Sequence, residues 1–203
     1  GLGDWRANPD RLPEGIDGLA EKIEKLGMKF GLWFEPEMVN KDSDLYRAHP
    51  DWILSVPGRP QSQGRYQYVL DFSRPEVVDA VYQMMADILG SGNVKWDMNR
   101  SITECWSAAL PADRQGEGFH RYILGVYHLY EQLNTAFPQV LFESCASGGA
   151  RFDPGLLYYA PQGWTSDDTD AIERLKIQYG TSYCYPVSSM GAHVSATPNH
   201  QVG

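Results

Sequence analysis

Cysteine is scarce. Cys105, Cys145 and Cys184 are the only three, too few and too scattered for a disulfide framework, and no C-x-x-C pair offers a zinc site. The five histidines are dispersed without an H-x-x-x-H spacing, so no metal and no cofactor is expected, and His193 reads as a hydrogen-bonded rim residue. Basic charge is short as well. Only 17 Lys and Arg face 26 Asp and Glu, a formal charge of -9, which opposes binding to phosphate backbones or anionic membranes. Neither a nucleic acid nor a membrane is therefore an expected partner, and a neutral or cationic ligand fits better. No apolar run approaches the ~20 residues that a membrane span needs, and no charged-then-apolar leader is visible. Taken with the cysteine usage, this gives the expectation of a soluble, cytoplasmic protein. An initiating Met is missing and the chain stops at "NHQVG" after a polar segment, so a fragment of a longer protein is expected.

What is present is an alternation of two periodicities. Ile16, Leu19, Ile23 and Leu26 recur at helical spacing before Gly27, and "MKFGLWFEPEM" then runs apolar and aromatic until Glu35 and Pro36 end it. "YQYVLDF" is a second extended candidate. Ser73, Pro75 and Glu76 form a capping signature ahead of a helix face of Val78, Val81, Met85 and Leu89, closed by Gly90 and Gly92. The strand "NVKW", a helix from about Gly118 to before Pro138, the strand "VLFES", a short apolar element near Leu156, "QGWTS", a helix from about Thr169 to Tyr183, and "PVSSMGAHV" complete the series. Strands that read as continuous apolar runs between helices predict an all-parallel sheet with helical cover. A β/α barrel is the first choice, because "SGGAR" lacks the G-x-G-x-x-G turn of a doubly wound fold.

In such barrels the polar residues at the C-terminal strand ends mark the active site. The candidates there are Glu35, Glu37, Asp71, Asp97, Glu143 and Asp167 or Asp168, and some of these acids cap helices or satisfy rim backbone instead. Alternate residues of a strand share a face, so Lys95 and Asp97 point one way and Trp96 the other. An ammonium beside Asp97 would keep it ionised, as a nucleophile must be. The rival is a structural ion pair. In "GWTSDDTDAIERLKIQ", Asp168 or Thr169 caps the helix and Asp170 sits near its positive end, which leaves Asp167 to face the mouth. Two carboxyls flanking one bond are the apparatus of glycoside hydrolysis. Trp33 and Trp164 read either as platforms for the apolar face of a sugar or as core. Cys145 reads as lining rather than as a thiol nucleophile.

The motifs "FGLWFEPEM", "HPDW", "VKWDMNR", "ESCASGGARFDPG", "WTSDDTDAIERLKIQYG" and "SSMGAHVS", in this order along nearly the whole chain, resemble glycoside hydrolase family 36, the microbial α-galactosidases. The resemblance implies a (β/α)8 TIM-type barrel, incomplete here at about the third to the seventh strand units, so that residues 1–203 form a partial catalytic domain without the early strands and flanking β domains. It implies retaining hydrolysis of terminal α-galactosyl residues of oligosaccharides such as melibiose and raffinose, with Asp97 of "KWDMN" as nucleophile and Asp167 of "WTSD" as acid/base. It places Trp33, Arg65, Lys95, Cys145, Gly148 and Trp164 against the sugar, and it implies a homo-oligomeric full-length protein. The run after Cys145 is less Gly-rich than in the family, although Cys145, Gly148 and Arg151 keep the C-x-x-G-x-x-R spacing. An α-N-acetylgalactosaminidase or a galactosyl-transferring relative is the alternative within this chemistry, and a non-catalytic sugar-binding barrel the alternative outside it.

Overall fold

The computed structural model describes residues 1–90 and 92–193. The end of the expected last strand, from Val194 on, lies outside the described residues. Five strands form a parallel sheet: β1 (Gly31–Phe34), β4 (Asn93–Trp96), β5 (Leu141–Ser144), β6 (Gln162–Trp164) and β7 (Met190–Gly191), neighbours in that order. Two more strands, β2 (Met38–Asn40) and β3 (Gln67–Val69), pair with each other and not with the sheet. Their pairing is antiparallel, with Met38 opposite Val69 and Asn40 opposite Gln67. The expected all-parallel sheet is corrected here: "YQYVLDF" is an excursion beyond β1, able to pair because β2 follows β1 after a three-residue turn.

Helices cover one face. α1 (Gly15–Glu24) buries Ala20, while Leu26 lies past its end and is exposed. α3 (Pro75–Ala86) buries Val77, Val78, Val81 and Met85, and packs on α4 (Gly118–Ala136), which buries Tyr122, Val126, Leu129, Tyr130 and Leu133. Ser73 does not cap α3: Arg74 holds the cap position without a side-chain bond to the first amides of the helix, and the Ser73 hydroxyl donates instead to Asp71 Oδ1 at 2.6 Å. Shorter helices α2 (Asp44–Ala48) and α5 (Pro154–Tyr159) are capped by Ser43 and Asp153, and α6 (Ala171–Ser182) by Asp170, which accepts from the backbone N–H groups of Ile172 and Glu173. This replaces Asp168 or Thr169 as the cap. The reason is reach, since the cap oxygen bonds the amides two and three residues on.

The period-2 alternation of the strands sorts the residues. Val94, Trp96 and Phe142 go to the helix side and are buried in the core; the Trp96 ring stacks on Tyr130 at 4.1 Å between centroids. On the other face the register aligns Trp33, Lys95, Glu143 and Gln162 in one row across four strands, around a cavity of about 280 Å3. Two residues further along each strand, the same face carries Glu35, Asp97, Cys145 and Trp164. Successive rows of side chains on the inner face are the layered interior of a barrel.

Candidate active site

Asp97 follows β4 directly, and its backbone N–H donates to Phe34 O at 2.8 Å, which prolongs the β1–β4 ladder by one step. The side chain is buried. Asp97 Oδ2 accepts from Trp33 Nε1 at 3.1 Å and from Asn99 Nδ2 at 2.7 Å; Oδ1 accepts from the backbone N–H of Met98 at 2.8 Å and of Ser147 at 3.4 Å. The Cys145 thiol also donates to it. Burial pushes the Asp97 pKa up, but the bonds from Asn99, Trp33, Cys145 and Met98 together outweigh it, and the carboxyl sits below its ordinary range. Neutral donors thus keep Asp97 ionised.

Lys95 does not. Its ammonium lies 3.4 Å from Glu143 Oε1 and 5.0 Å from the centre of the Trp164 ring, so the expected Lys95–Asp97 pair is corrected to a Lys95–Glu143 pair. The two residues share a face, as alternation requires, but the register sets Glu143 directly opposite Lys95, closer than a residue two positions along its own strand. Trp164 departs from the reading as an open platform. It is 3 % exposed, with His193 3.8 Å from its ring centre and the Arg174 guanidinium at 4.5 Å. Its work is at the edge, where Nε1 donates to Asp167 Oδ1 at 2.9 Å. Trp33 keeps 44 % of its surface open.

Asp167 is exposed at the mouth, in the loop after β6. The segment from Cys145 to Gly149 lies between it and Asp97. Gly148 has φ +86, and a Cβ there would stand 2.9 Å from Ser166 Cα and 3.0 Å from Asp167 N; one on Gly149 would stand 2.4 Å from Thr165 O. Both contacts are with backbone, so only glycine lets the two loops meet. Cys145 is buried beside Asp97; burial, opposed by a bond from the Gly148 backbone, and then the Asp97 charge push its thiol up to about 12. It is a neutral donor there, not a nucleophile. Arg65 is exposed at the tip of a tight turn, where it faces Glu35.

Asn99 and Arg174, which the sequence did not single out, and Arg151 with Glu37 hold this arrangement. Asn99 donates to Asp97 and accepts from Ser147 Oγ at 3.1 Å. Arg151 places both terminal nitrogens on the fully buried Glu37, at 3.0 and 2.8 Å, and Glu37 also accepts from Trp96 Nε1 at 2.9 Å and from the Tyr122 hydroxyl. This ties the Cys145–Arg151 segment to β4 and α4. Arg174, one turn into α6, binds Ser166 O at 2.9 Å, Asp168 O at 3.2 Å and Thr165 Oγ1 at 2.9 Å, and so shapes the loop that carries Asp167. In "AIERLKIQ" nothing local distinguishes this arginine from a solvated helix cation; its burial on an otherwise exposed or half-exposed helix appears only in the fold. Asp71, although fully buried, bonds Ser73 and Ser107 and takes no part. Among the described residues no cluster of three His, Cys, Asp or Glu is placed to hold a metal ion, and no helix is long and apolar enough to cross a membrane.

A parallel sheet whose strand ends gather carboxylates, indoles and a thiol at one rim defines an α/β unit of the TIM-barrel type. The Melibiase family model matches residues 1–203, and the chain belongs to that family. It is 60 % identical over 205 residues to alpha-galactosidase AgaA of Geobacillus stearothermophilus, covering 100 % of this chain and 28 % of the relative. To alpha-galactosidase Mel36A of Lactobacillus acidophilus it is 52 % identical, with the same coverage. The crystal structure of AgaA superposes with a TM-score of 0.96 at 59 % identity, over 100 % of this chain and 29 % of that one, and a variant of AgaA has been solved in complex with raffinose. The chain thus spans a little over a quarter of the length of these relatives.

Proposed function

We propose that this chain forms about the third to the seventh β/α units of the catalytic barrel of a retaining α-galactosidase, which acts on terminal α-galactosyl residues of oligosaccharides such as raffinose and melibiose. The observation that carries the reading is Asp97: a buried carboxylate held ionised by neutral donors, with Asp167 across the Gly148 contact. In this reaction Asp97 Oδ attacks the anomeric carbon while Asp167, as the acid, gives its proton to the departing glycosidic oxygen. The covalent galactosyl-enzyme then yields to water, whose proton returns to Asp167. Five hydrogen bonds to Asp97 hold the carboxylate in place, so little reorganisation precedes attack. Exposure of Asp167 at the mouth suits a group that must meet first the departing oxygen and then the incoming water. Trp33, Arg65, Lys95, Cys145 and Gly148 surround the space that the sugar would fill, and Trp164 orients Asp167 from beneath. The likeness to relatives named as α-galactosidases, one of them solved with raffinose, supports the substrate class.

The test uses the full-length protein. A mechanism-based α-galactosyl label should attach to Asp97, and Asp97→Ala should lose nearly all turnover. Asp167→Ala should lose far more activity on raffinose than on aryl α-galactosides, because good leaving groups need little protonation. An active Asp97→Ala protein, or equal loss on both substrates in Asp167→Ala, would sink the assignment.

A further inference from the structure

Glu35 is fully buried, and neutral donors take both of its oxygens. Oε1 accepts from the backbone N–H of Asn99 at 2.6 Å, and Oε2 from Gln67 Nε2 at 3.0 Å. Burying a carboxylate without an ion pair is unfavourable, so the fold needs something from this one. Each donor leads to the mouth. Asn99 is the residue whose side chain bonds Asp97 at 2.7 Å. Gln67 closes the turn that displays Arg65, through paired backbone bonds with Gly64 of 2.9 and 3.3 Å. Within that turn Arg65 and Tyr66 have φ of 55° and 60°. Two successive side-chain-bearing residues in the left-handed region persist only where the surroundings hold them.

We propose that Glu35 is a positioning residue for α-galactoside hydrolysis: it clamps Asn99 against Asp97 with one oxygen and the Arg65–Tyr66 turn with the other, and so keeps the nucleophile and Arg65 at one spacing. This rests on the function proposed above. Burial, opposed by the Asn99 bond, and then the charge of Asp97 raise the pKa of Glu35, while Gln67 and Arg65 oppose the rise. Asp97 and Arg65 are the charged groups that face it. With its pKa raised, Glu35 takes up its proton at higher pH than Asp97, whose pKa is lowered, so Glu35 is neutral where Asp97 titrates and acts on it there only through Asn99.

Three variants of the full-length protein separate the arms. Glu35→Gln keeps an acceptor for Asn99, and Gln67 Oε1, buried without a partner, receives the introduced amide once the Gln67 amide turns over. Because Glu35 is already neutral where Asp97 titrates, this change should leave both the acid limb of kcat/KM and the unfolding temperature in place, whereas Glu35→Leu, which removes the acceptor for Asn99, should move the acid limb upward. Gln67→Leu cuts only the turn, and should raise KM for an aryl α-galactoside by about tenfold, as expected for one lost bond to a charged group. An acid limb that stays in place in Glu35→Leu, or a wild-type KM in Gln67→Leu, overturns the positioning role while leaving the proposed function intact. A wild-type protein without turnover overturns both.

Discussion

Asp97 illustrates how burial and hydrogen bonding compete at one carboxylate. Burial favours the neutral acid, four neighbours favour the anion, and the anion wins. Because its folded pKa lies below the unfolded value, Asp97 stabilises the fold above ~3.9, the ordinary aspartate value, and this contribution fades as pH falls through the folded pKa. Asn99 supplies the largest opposing bond. Asn99→Leu should therefore raise the acid limb of kcat/KM, in the same direction as Glu35→Leu, and lower kcat by about 10- to 100-fold through a misplaced nucleophile; pH-dependent kinetics on the full-length protein read both. Cys145 gives a second residue-scale outcome. With its thiol pushed up to about 12 and buried, it should resist iodoacetamide at pH 8, whereas the exposed Cys184 should react. Mass spectrometry after timed alkylation checks the ratio. The sequence marked Cys145 as lining, but its bond to Asp97 depends on β4 and β5 lying side by side.

At the scale of elements, the decisive contact is between two loops. The segment after β5 and the segment after β6 touch through Gly148 and Gly149, backbone to backbone. Gly148→Ala adds a Cβ where φ is +86 and where Ser166 and Asp167 leave no room. It should push Asp167 away from Asp97, lowering kcat by about 10²-fold, the scale of a displacement near 1 Å, and costing about 1–3 kcal/mol of stability. Kinetics and thermal unfolding of the full-length variant measure the two. Asp170→Ala, which removes a cap and leaves the loop contact alone, should cost about 1 kcal/mol with activity nearly unchanged. The C-x-x-G-x-x-R spacing was legible in the sequence; that its arginine reaches Glu37 at the end of the turn after β1 was not. Nothing local in "EPEM" distinguishes a glutamate that anchors a loop from one that faces a ligand.

Over the whole molecule, the sheet is open among the described residues: β1 pairs only with β4, and β7 only with β6. The outer side of β1 bears unpaired backbone groups beside a half-open Trp33, an arrangement that invites pairing with another chain. The 203 residues expressed alone should self-associate and turn over aryl α-galactosides negligibly, because one wall of the pocket is open and the sugar is not held against Asp97. Size-exclusion chromatography with a parallel assay of the full-length protein decides this. A monomeric chain with substantial turnover would make the described strands sufficient.

The amino-acid order by itself determined which segments are helix or strand in the parallel sheet and which faces of them are apolar. Periodicity is local, and α4 from Gly118 to Ala136 or β4 from Asn93 to Trp96 carries it within one stretch. The motifs likewise singled out Asp97 and Asp167. The tertiary structure alone decided partners. Lys95 went to Glu143 because strand register sets them opposite each other, "YQYVLDF" left the sheet because β2 was available to it, and Trp164 turned inward under His193 and Arg174. Each of these outcomes depends on residues distant in the chain competing for the same space or charge, and that competition exists only once the strands are laid side by side.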